Sequence, residues 1–347
     1  RDPEIALLAE QFVCVRIQSM NGVDLNRFPF EYDLTWMSFF QDSQGRTYAR
    51  YGGRDDTGPE SHLNQKSLVR IMKQTLELHK TGSVQPNDRY EPATADPLTP
   101  EQIPTMRQMM EKRKVKCIHC HDVKSTRLKN LRLADEFNKK MIYTYPSPSN
   151  LGINLDPVSQ NQVKSVANKS SASSAGMKAG DILLQMGGHR VLTFADATRV
   201  LELTPETGDL AVQIQRGGTT IDTILKLPVN WRISQDPSWR ESTHVAGPNS
   251  GFWAVELNEQ QRKNLNIPSD QLALRATAIW GAWTKKAGIR HGDIVVSIDG
   301  LNADMGIKQL QTYLQMNKTW GETVPILVIR NGKRMELSMK LPPQPKQ

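Results

Sequence analysis

Two stretches of the sequence repeat each other and decide how the C-terminal half of the chain folds. Residues 175–188 read AGMKAGDILLQMGG, and residues 287–300 read AGIRHGDIVVSIDG, so that the two stretches align without a gap. In each copy a Gly-Asp pair predicts a tight turn into an apolar strand that ends at the closing glycine. Two copies at this spacing predict two small domains, because a solenoid needs three or more shorter repeats.

The residues after each copy continue the same pattern. Each copy is followed by a predicted helix, a strand, a hairpin turn that contains glycine and a last strand. In the first copy these elements are residues 194–203, 209–216, 217–218 and 220–227. In the second copy they are residues 305–316, 324–330, 331–332 and 334–341.

The repeated motif resembles that of PDZ domains, in particular the bacterial HtrA-like type, over roughly residues 151–228 and 251–342. The resemblance implies two β-barrel domains that bind a peptide by adding it as a strand beside an exposed edge, with a loop of backbone N–H groups for the terminal carboxylate. Alternatively, the edges serve internal packing or oligomerisation. No Ser-His-Asp protease domain precedes the two copies, so we do not expect an HtrA-type protease. The family's loop motif implies these peptide-binding residues: Gly152, Ile153, Asn154, Phe252, Trp253 and Ala254.

A second motif lies between the repeats and the N-terminus. Cys117-Ile118-His119-Cys120-His121 is a C-x-x-C-H sequence, the attachment signature of c-type haem. Two thiols at this spacing can bond the two porphyrin vinyl groups, and the following histidine is then held under the iron. The hypothesis is haem c bound by Cys117, Cys120 and His121. A dithiol or disulfide pair, a zinc site and a purely structural pair remain as alternatives.

The sixth ligand of such a haem is open from the sequence. The candidate is Met141, which follows a predicted helix over residues 125–140, so that His121 and Met141 would be the metal ligands. His62 or His79 would instead give a bis-histidine site. The haem segment, roughly residues 90–150, is so short that neighbouring domains would have to cover the haem.

The N-terminal part of the chain suggests an alternation of helix and strand. The segment from Asp2-Pro3-Glu4 to the apolar run 12–17, with residues 39–45, resembles thioredoxin-like proteins just after their catalytic helix. The family's C-x-x-C would fall before Arg1, and Leu34-Thr35 replaces its Pro-Thr, so dithiol activity is not expected here. Cys14 is predicted to be a buried strand thiol.

Charge is concentrated in one window. The chain has 44 Lys and Arg against 36 Asp and Glu, a formal net charge of +8. Residues 107–140 hold eleven basic and four acidic residues, which gives +7 in that window alone. This excludes a uniformly basic nucleic-acid coat and favours either a solvated helix face or a surface that neutralises haem propionates and steers an acidic protein partner. No apolar run reaches the length of a membrane helix.

Together these features predict an α+β multidomain chain. The expected domains are a truncated thioredoxin-like α/β domain (1–82), a linker with a short helical haem segment (83–150) and two PDZ domains (151–230 and 231–347). The three segments resemble the thioredoxin/PDZ-domain proteins of planctomycete-type bacteria. The resemblance implies a periplasmic or otherwise extracytoplasmic haem protein that transfers electrons or serves as a haem-bearing scaffold.

Two other functions remain open: a non-catalytic interaction subunit of a larger assembly, and a thiol-redox protein. The motifs do not decide whether the chain is an enzyme and rather favour a non-enzyme. The expected partners are proteins, not nucleic acid. Any membrane association would be indirect or would depend on a segment lost before Arg1.

Overall fold

The computed structural model describes residues 2–82, 98–114, 116–233 and 235–345. The chain divides into two compact units. Unit 1 consists of Arg1–Val123 and Tyr143–Gln235, and unit 2 consists of Lys124–Ile142 and Asp236–Gln347. The linker is expected to begin at residue 83. Its first part, residues 83–97, lies outside the described residues. The four domain boundaries given above stay a prediction.

The described residues contain nine α-helices and thirteen strands. The α-helices are α1 (Pro3–Ala9), α2 (Gln65–Thr81), α3 (Pro104–Lys112), α4 (Cys120–Leu133), α5 (Ser171–Ser174), α6 (Phe194–Leu203), α7 (Glu259–Asn264), α8 (Ala282–Lys286) and α9 (Ile307–Asn317). The strands are β1 (Met37–Gln41), β2 (Thr47–Gly52), β3 (Ile153–Leu155), β4 (Val163–Val166), β5 (Ile182–Met186), β6 (His189–Arg190), β7 (Gly208–Arg216), β8 (Thr219–Leu227), β9 (Phe252–Glu256), β10 (Leu274–Ile279), β11 (Ile294–Ile298), β12 (Thr323–Arg330) and β13 (Lys333–Lys340). In these ranges no helix is both long and apolar enough to cross a membrane.

The strand expected over residues 12–17 does not form, and that prediction is wrong. The segment pairs with no strand in the described part of the chain, and Val13 and Val15 are 94% and 81% exposed. Cys14 is also exposed rather than buried. A β-rich composition favours a strand only where a neighbouring strand or core surface is available. The strand that supported the thioredoxin-like resemblance is therefore missing.

The rest of the N-terminal part contains both strands and a helix, in line with the expected alternation. Strands β1 and β2 pair as an antiparallel hairpin. Helix α2 begins at the cap Asn64, whose side chain accepts from the Lys66 N–H, and ends at Gly82 in the left-handed conformation. Tyr51 of β2 and Ile71 of α2 share a small apolar core and are 1% and 2% exposed.

The first repeat is built from two separate sheets in unit 1. Strands β3 and β4 form one antiparallel pair, and a four-stranded sheet has the order β6-β5-β7-β8. Helix α6 buries Phe194, Ala197 and Leu201 in the core that these strands enclose. The predicted helix and strands are present. The expected β-barrel is wrong in its closure, because both sheets end in edge strands in the described structure.

The second repeat forms one open five-stranded antiparallel sheet in unit 2, in the order β13-β12-β11-β10-β9. Helix α9 packs Leu310 and Leu314 onto a core that contains Phe252 and Val295, all fully buried. Here too the sheet ends in edge strands, β9 and β13, rather than closing into a barrel. A mixed α/β architecture is common to both units.

One ion pair is built identically into both copies. In unit 1 the Arg216 Nε and Nη2 donate to the Asp181 carboxylate at 2.6 and 2.8 Å, and Arg216 also donates to the Gly176 carbonyl. In unit 2 the Arg330 Nε and Nη2 donate to Asp293 at 2.7 and 2.6 Å. Each carboxylate side chain is 1% exposed. The Asp of the repeated turn is therefore tied to the end of a distant strand, which explains why both copies need it.

We expect this pair to make unit 1 sensitive to acid. Burial opposes the charged form of Asp181, but the Arg216 guanidinium and the Lys178 N–H outweigh it and hold the pKa of Asp181 below its ordinary value. The stabilisation is therefore present at neutral pH and is lost as the pH falls through that lowered pKa. At pH 7 Asp181→Asn should melt about 5 °C below the wild type, and the gap should close in strong acid, where the Asp181 carboxyl of the wild type is also neutral.

Thermal melts of both proteins from neutral pH into strong acid measure the gap. A gap that stays constant into acid, or an absence of any gap at neutral pH, would contradict this role of Asp181.

Candidate functional site

The first candidate edge begins at a loop that requires glycine. A short 3-10 helix, Pro148–Leu151, is capped by the Ser147 hydroxyl and ends at Gly152, whose φ is +87°. A Cβ at Gly152 would collide with the side chain of Ser170. The glycine therefore lets the chain turn from this helix directly into β3.

Strand β3 has one unpaired edge. The Gly152 carbonyl accepts from the Ala167 N–H at 2.9 Å, and the Asp156 N–H donates to the Gln162 carbonyl at 2.8 Å, both on the β4 side. Because backbone groups alternate along a strand, the N–H and C=O of Ile153 and Leu155 point to the opposite edge. No strand of the described residues pairs there. The side chain of Asn154 is exposed and donates to the Ser165 hydroxyl at 3.1 Å.

Helix α6 and the N-terminal part of unit 1 are joined by hydrogen bonds. The Arg50 N–H donates to the Asp196 carboxylate at 2.9 Å, and the Thr193 hydroxyl donates to the Arg50 carbonyl at 2.5 Å. The His62 ring stacks on Phe194 with their centroids 3.4 Å apart. Strand β2 therefore holds the first turn of α6 in place.

The second candidate edge, on β9, is already occupied by side chains. The Gly251 carbonyl accepts from the N–H groups of Trp280 and Gly281 on the β10 side, so the Phe252 backbone faces the other edge. There the Gln311 Nε2 donates to the Phe252 carbonyl at 3.2 Å, and the Gln311 Oε1 accepts from the Ser250 N–H at 3.1 Å. Gln311 lies in α9 and is 3% exposed.

The matching position in unit 1 carries a shorter side chain. When Phe194 and Ile307, the first residues of α6 and α9, are aligned, Thr198 falls opposite Gln311. The Thr198 hydroxyl donates to the Ala195 carbonyl of its own helix at 3.0 Å. Among the described hydrogen bonds none joins α6 to Ile153, so the two edges differ in whether a helix side chain caps them.

Of the sequence-predicted peptide-binding residues, Gly152, Ile153 and Asn154 lie at the β3 edge and Phe252, Trp253 and Ala254 on β9. Phe252 and Ala254 are buried, whereas Trp253 is 38% exposed. Sequence reasoning missed Ser250 and Gln311, which cap the β9 edge. An alignment of the two helices that follow the repeated motif would have flagged Gln311, because a long amide there replaces a threonine.

The C-x-x-C-H segment is a local anchor of unit 1. Ile118 is 1% exposed and belongs to an apolar cluster with Met20 and Met106. Its N–H donates to the Ser19 hydroxyl at 3.0 Å, and its carbonyl accepts from the Met20 N–H at 2.8 Å. Ile118, the first of the two residues between the cysteines, therefore packs in the core.

Asp122 fixes the start of α4. Its carboxylate accepts from the His119 N–H at 3.0 Å and from both terminal nitrogens of Arg113 at 2.7 and 2.8 Å. Burial opposes the charged form, yet these donors keep the pKa of Asp122 below its ordinary value. The rings of His119 and His121 are stacked 5.6 Å apart. One basic residue of the 107–140 window is thus used in a local ion pair.

The predicted haem ligands fall in different units. Met141 belongs to unit 2, whereas Cys117, Cys120 and His121 belong to unit 1. Within the described ranges no group of three or more His, Cys, Asp or Glu side chains could hold a metal ion. Cys117 is exposed, and burial raises the pKa of Cys120 above its ordinary value.

The chain is similar to known proteins over part of its length. A model of the PDZ domain family matches residues 141–215. A protein of Haemophilus influenzae named "Probable periplasmic serine protease do/HhoA-like" is 26% identical over 169 residues, which are 49% of this chain and 32% of that protein. The match thus spans about a third of the length of this relative.

Two solved structures are also similar. The HtrA-type protease AlgW with decapeptide is 13% identical, with 48% of this chain and 56% of that chain covered and a TM-score of 0.25. The PDZ domain of EpsC from Vibrio cholerae is 15% identical, with 26% of this chain and 94% of that chain covered and a TM-score of 0.19.

These findings confirm one PDZ domain and correct the expected function. The PDZ domain lies over residues 141–215, and PDZ domains mediate protein–protein interactions. The expected extracytoplasmic location is confirmed by the periplasmic relative. The prediction of a haem c protein for electron transfer is wrong, since the homology is to a serine protease, which needs no haem. The same homology corrects the thiol-redox and purely structural alternatives.

The cysteine geometry predicts unequal thiol reactivity. The thiolate is the reactive form, and Cys120 is partly buried with a raised pKa, whereas Cys117 is exposed. Iodoacetamide at mildly alkaline pH should modify Cys117 about tenfold faster than Cys120. Peptide mass spectrometry against time measures both rates in one sample, with exposed Cys14 as the internal reference. Equal rates at the two motif cysteines would contradict this geometry.

Proposed function

We propose that this chain is the peptide-recognition part of a periplasmic protein related to Do/HhoA-type serine proteases, and that unit 1 binds an extended peptide as an added strand on β3. The observation that carries the proposal is the edge at Ile153 and Leu155. Their backbone groups face away from β4, no described strand pairs with them, and no described helix side chain caps Ile153. A peptide strand would satisfy these groups.

Peptide recognition is favoured over cleavage by the geometry of one histidine–carboxylate pair, His62 and Asp55. The His62 Nε2 lies 2.7 Å from the Asp55 carboxylate, whose pKa falls to about 2 because the interactions with His62 and Thr57 outweigh burial. The other ring nitrogen, Nδ1, is buried and has no partner among the described residues. A protease triad needs a serine hydroxyl at that second nitrogen. This pair instead packs on Phe194 at the start of α6.

We also propose that residues 251–342 form a second PDZ domain. The support is the repeated motif with its duplicated ion pair, Asp181–Arg216 and Asp293–Arg330, and the matching helices α6 and α9. In this second domain Gln311 takes the place that a peptide backbone would occupy beside Phe252. Unit 1 is therefore the stronger peptide receptor, and unit 2 binds only when Gln311 is displaced.

A peptide titration of the full chain tests the function of unit 1. The probe is an equimolar pool of decapeptides with an apolar last residue, at about 1 mM, which would populate complexes with a Kd of about 0.1 mM. In nitrogen-15 spectra the amides of Ile153 and Leu155 should shift. Leu155→Pro, which removes a donor from the free edge, should weaken binding about tenfold relative to Leu155→Ala, which keeps the N–H.

The alanine variant is the matched control, because it loses the same side chain. An unchanged spectrum at the β3 edge in the wild type would refute the proposed function of unit 1, and equal affinity of the two Leu155 variants would refute strand addition.

Replacing Gln311 by threonine, or Thr198 by glutamine, should change how readily the β9 edge or the β3 edge binds peptide. In Gln311→Thr the Phe252 edge loses its side-chain cap, so peptide-induced shifts at Phe252 and Ala254 should appear at about tenfold lower peptide concentration. In Thr198→Gln the reverse is expected at Ile153. Amide spectra of both variants, read against melting temperature as a check of folding, measure the effect. If Gln311→Thr leaves the concentration dependence at Phe252 unchanged, Gln311 does not block this edge.

A further inference from the structure

The sheet of unit 2 has two faces, and the outer one is covered along only part of its length. Helix α9 packs on the inner face, whose core contains Phe252. Residues of the outer face alternate with those of the inner face along each strand. One part of the outer face is closed by a second apolar cluster, in which Leu257 and Ile267 pack with Val296.

The other part of the outer face is exposed and carries two tryptophans. Trp253 of β9 lies directly opposite Ala278 of β10, and Trp280 follows two residues later, so the three side chains point to the same side. The Trp280 N–H donates to the Gly251 carbonyl at 3.0 Å, which extends the pairing to this residue. Trp253, Val255 and Trp280 are 38%, 48% and 53% exposed. A contiguous exposed apolar patch of this kind marks an interaction surface.

The patch is accompanied by positive charge. Residues 271–292 contain no Asp or Glu and four basic residues: Arg275, Lys285, Lys286 and Arg290. Lys285 and Lys286 are exposed on α8. The ion pairs of unit 2 in the described part of the chain use other cations. The Glu256 carboxylate lies beside Gly306 at the start of α9, on the side of the inner face.

Two hydrogen bonds fix α8 beside the tryptophans. The Trp283 Nε1 donates to the Asn249 carbonyl at 3.2 Å, and the Thr284 hydroxyl donates to the Ser250 carbonyl at 2.5 Å. Both acceptors belong to the chain that leads into β9, and α8 begins two residues after Trp280. The lysines and the tryptophans are therefore carried by one connected surface of unit 2.

Unit 1 has polar residues at the matching positions. When the glycines at the start of β3 and β9 are aligned, Asn154 falls opposite Trp253. The alignment of the repeated motif, continued backwards without a gap, places Asn168 opposite Trp280 and the sequence SASS of α5 opposite WTKK of α8. The same framework forms in both units, so the fold itself does not require the tryptophans or the lysines.

The combination of tryptophan and lysine favours a membrane surface over a protein partner. Lysine is depleted in protein–protein interfaces. Tryptophan rings, by contrast, take positions at the headgroup level of a bilayer, and basic side chains beside them attract anionic lipids. The extracytoplasmic location indicated by the periplasmic relative gives the chain access to such a surface.

We propose that Trp253, Trp280, Lys285 and Lys286 form a surface by which unit 2 docks on a membrane that contains anionic lipids. The tryptophan rings enter the headgroup layer, and the lysine ammonium groups contact the lipid phosphates. This docking is independent of the peptide binding proposed above, because it uses the outer face of the sheet and needs no peptide.

Co-sedimentation of the full chain with lipid vesicles tests the proposal. One set of vesicles contains equal amounts of phosphatidylglycerol and phosphatidylcholine, and the other contains phosphatidylcholine alone. The chain should bind the anionic vesicles about tenfold tighter than the neutral ones at about 0.1 M salt, and the difference should shrink as the salt rises to about 0.5 M.

A pair of charge variants locates the cationic part of the surface. Lys285→Gln combined with Lys286→Gln should weaken binding to anionic vesicles about twentyfold, since each basic side chain at such a surface contributes about fivefold. The matched control is Lys164→Gln combined with Lys169→Gln, which removes two exposed lysines from the corresponding segment of unit 1. This control should leave binding nearly unchanged.

A second pair of variants locates the aromatic part. Trp280→Asn introduces the side chain of unit 1 and should weaken vesicle binding about tenfold, because the indole ring no longer enters the headgroup layer. Trp36→Asn makes the same exchange at a tryptophan of unit 1 that is 44% exposed, and it should keep the binding. The melting temperature of each variant shows that it is folded.

Three results would overturn the proposal. The first is a wild type that does not bind anionic vesicles, and the second is an equal loss of binding in the unit 1 control variants. The third comes from sedimentation velocity without vesicles: a dimer that Trp280→Asn dissociates would make this face an interface between two copies of the chain.

Discussion

The backbone groups of an edge strand must find partners, and this constraint governs both repeats. In unit 1 the polar groups of Ile153 and Leu155 face an edge that no described strand covers. In unit 2 the corresponding groups of Phe252 are satisfied by Ser250 and Gln311. The β3 edge therefore needs a partner strand from outside unit 1, whereas on the β9 edge Ser250 and Gln311 take the place of such a strand at Phe252. The difference between the two units follows from one helix position.

The framework that presents these edges is the same in both units. The Asp of the repeated turn is held by an arginine at the end of a later strand, and the helix that follows the repeat packs on the strands with its apolar face. Gly152 and Gly251 both adopt positive φ at the start of the edge strand. The residues that differ, Thr198 and Gln311, lie on helices α6 and α9 and leave this framework unchanged.

Periodicity and turn chemistry were enough to predict the two repeats. The Gly-Asp turns, the helices and the hairpins form where the pattern places them, because local propensity and burial agree there. The strand over residues 12–17 failed, since its apolar residues have no partner surface among the described residues and remain exposed. A sequence pattern does not show whether a β-rich segment has a neighbouring strand with which it can pair.

The candidate site was only partly accessible from the sequence. The loop glycines and edge residues could be named, but whether an edge is capped depends on a contact between residues far apart along the chain, Ser250 and Gln311. The C-x-x-C-H motif misled for the opposite reason. Its spacing fits haem attachment, yet Ile118 is used as core, and no group of three or more His, Cys, Asp or Glu side chains among the described residues could hold a metal ion. A short motif specifies chemistry only when the surrounding fold supplies the remaining ligands.

Residue-resolved amide exchange of the full chain, with and without the decapeptide pool, tests the central claim most directly. The account predicts that the amides of Ile153 and Leu155 exchange freely without peptide and become protected when it is added, whereas the amide of Asn154, which faces β4, is protected in both states. Protection of Ile153 and Leu155 before any peptide is added, or no gain when peptide binds, would contradict it.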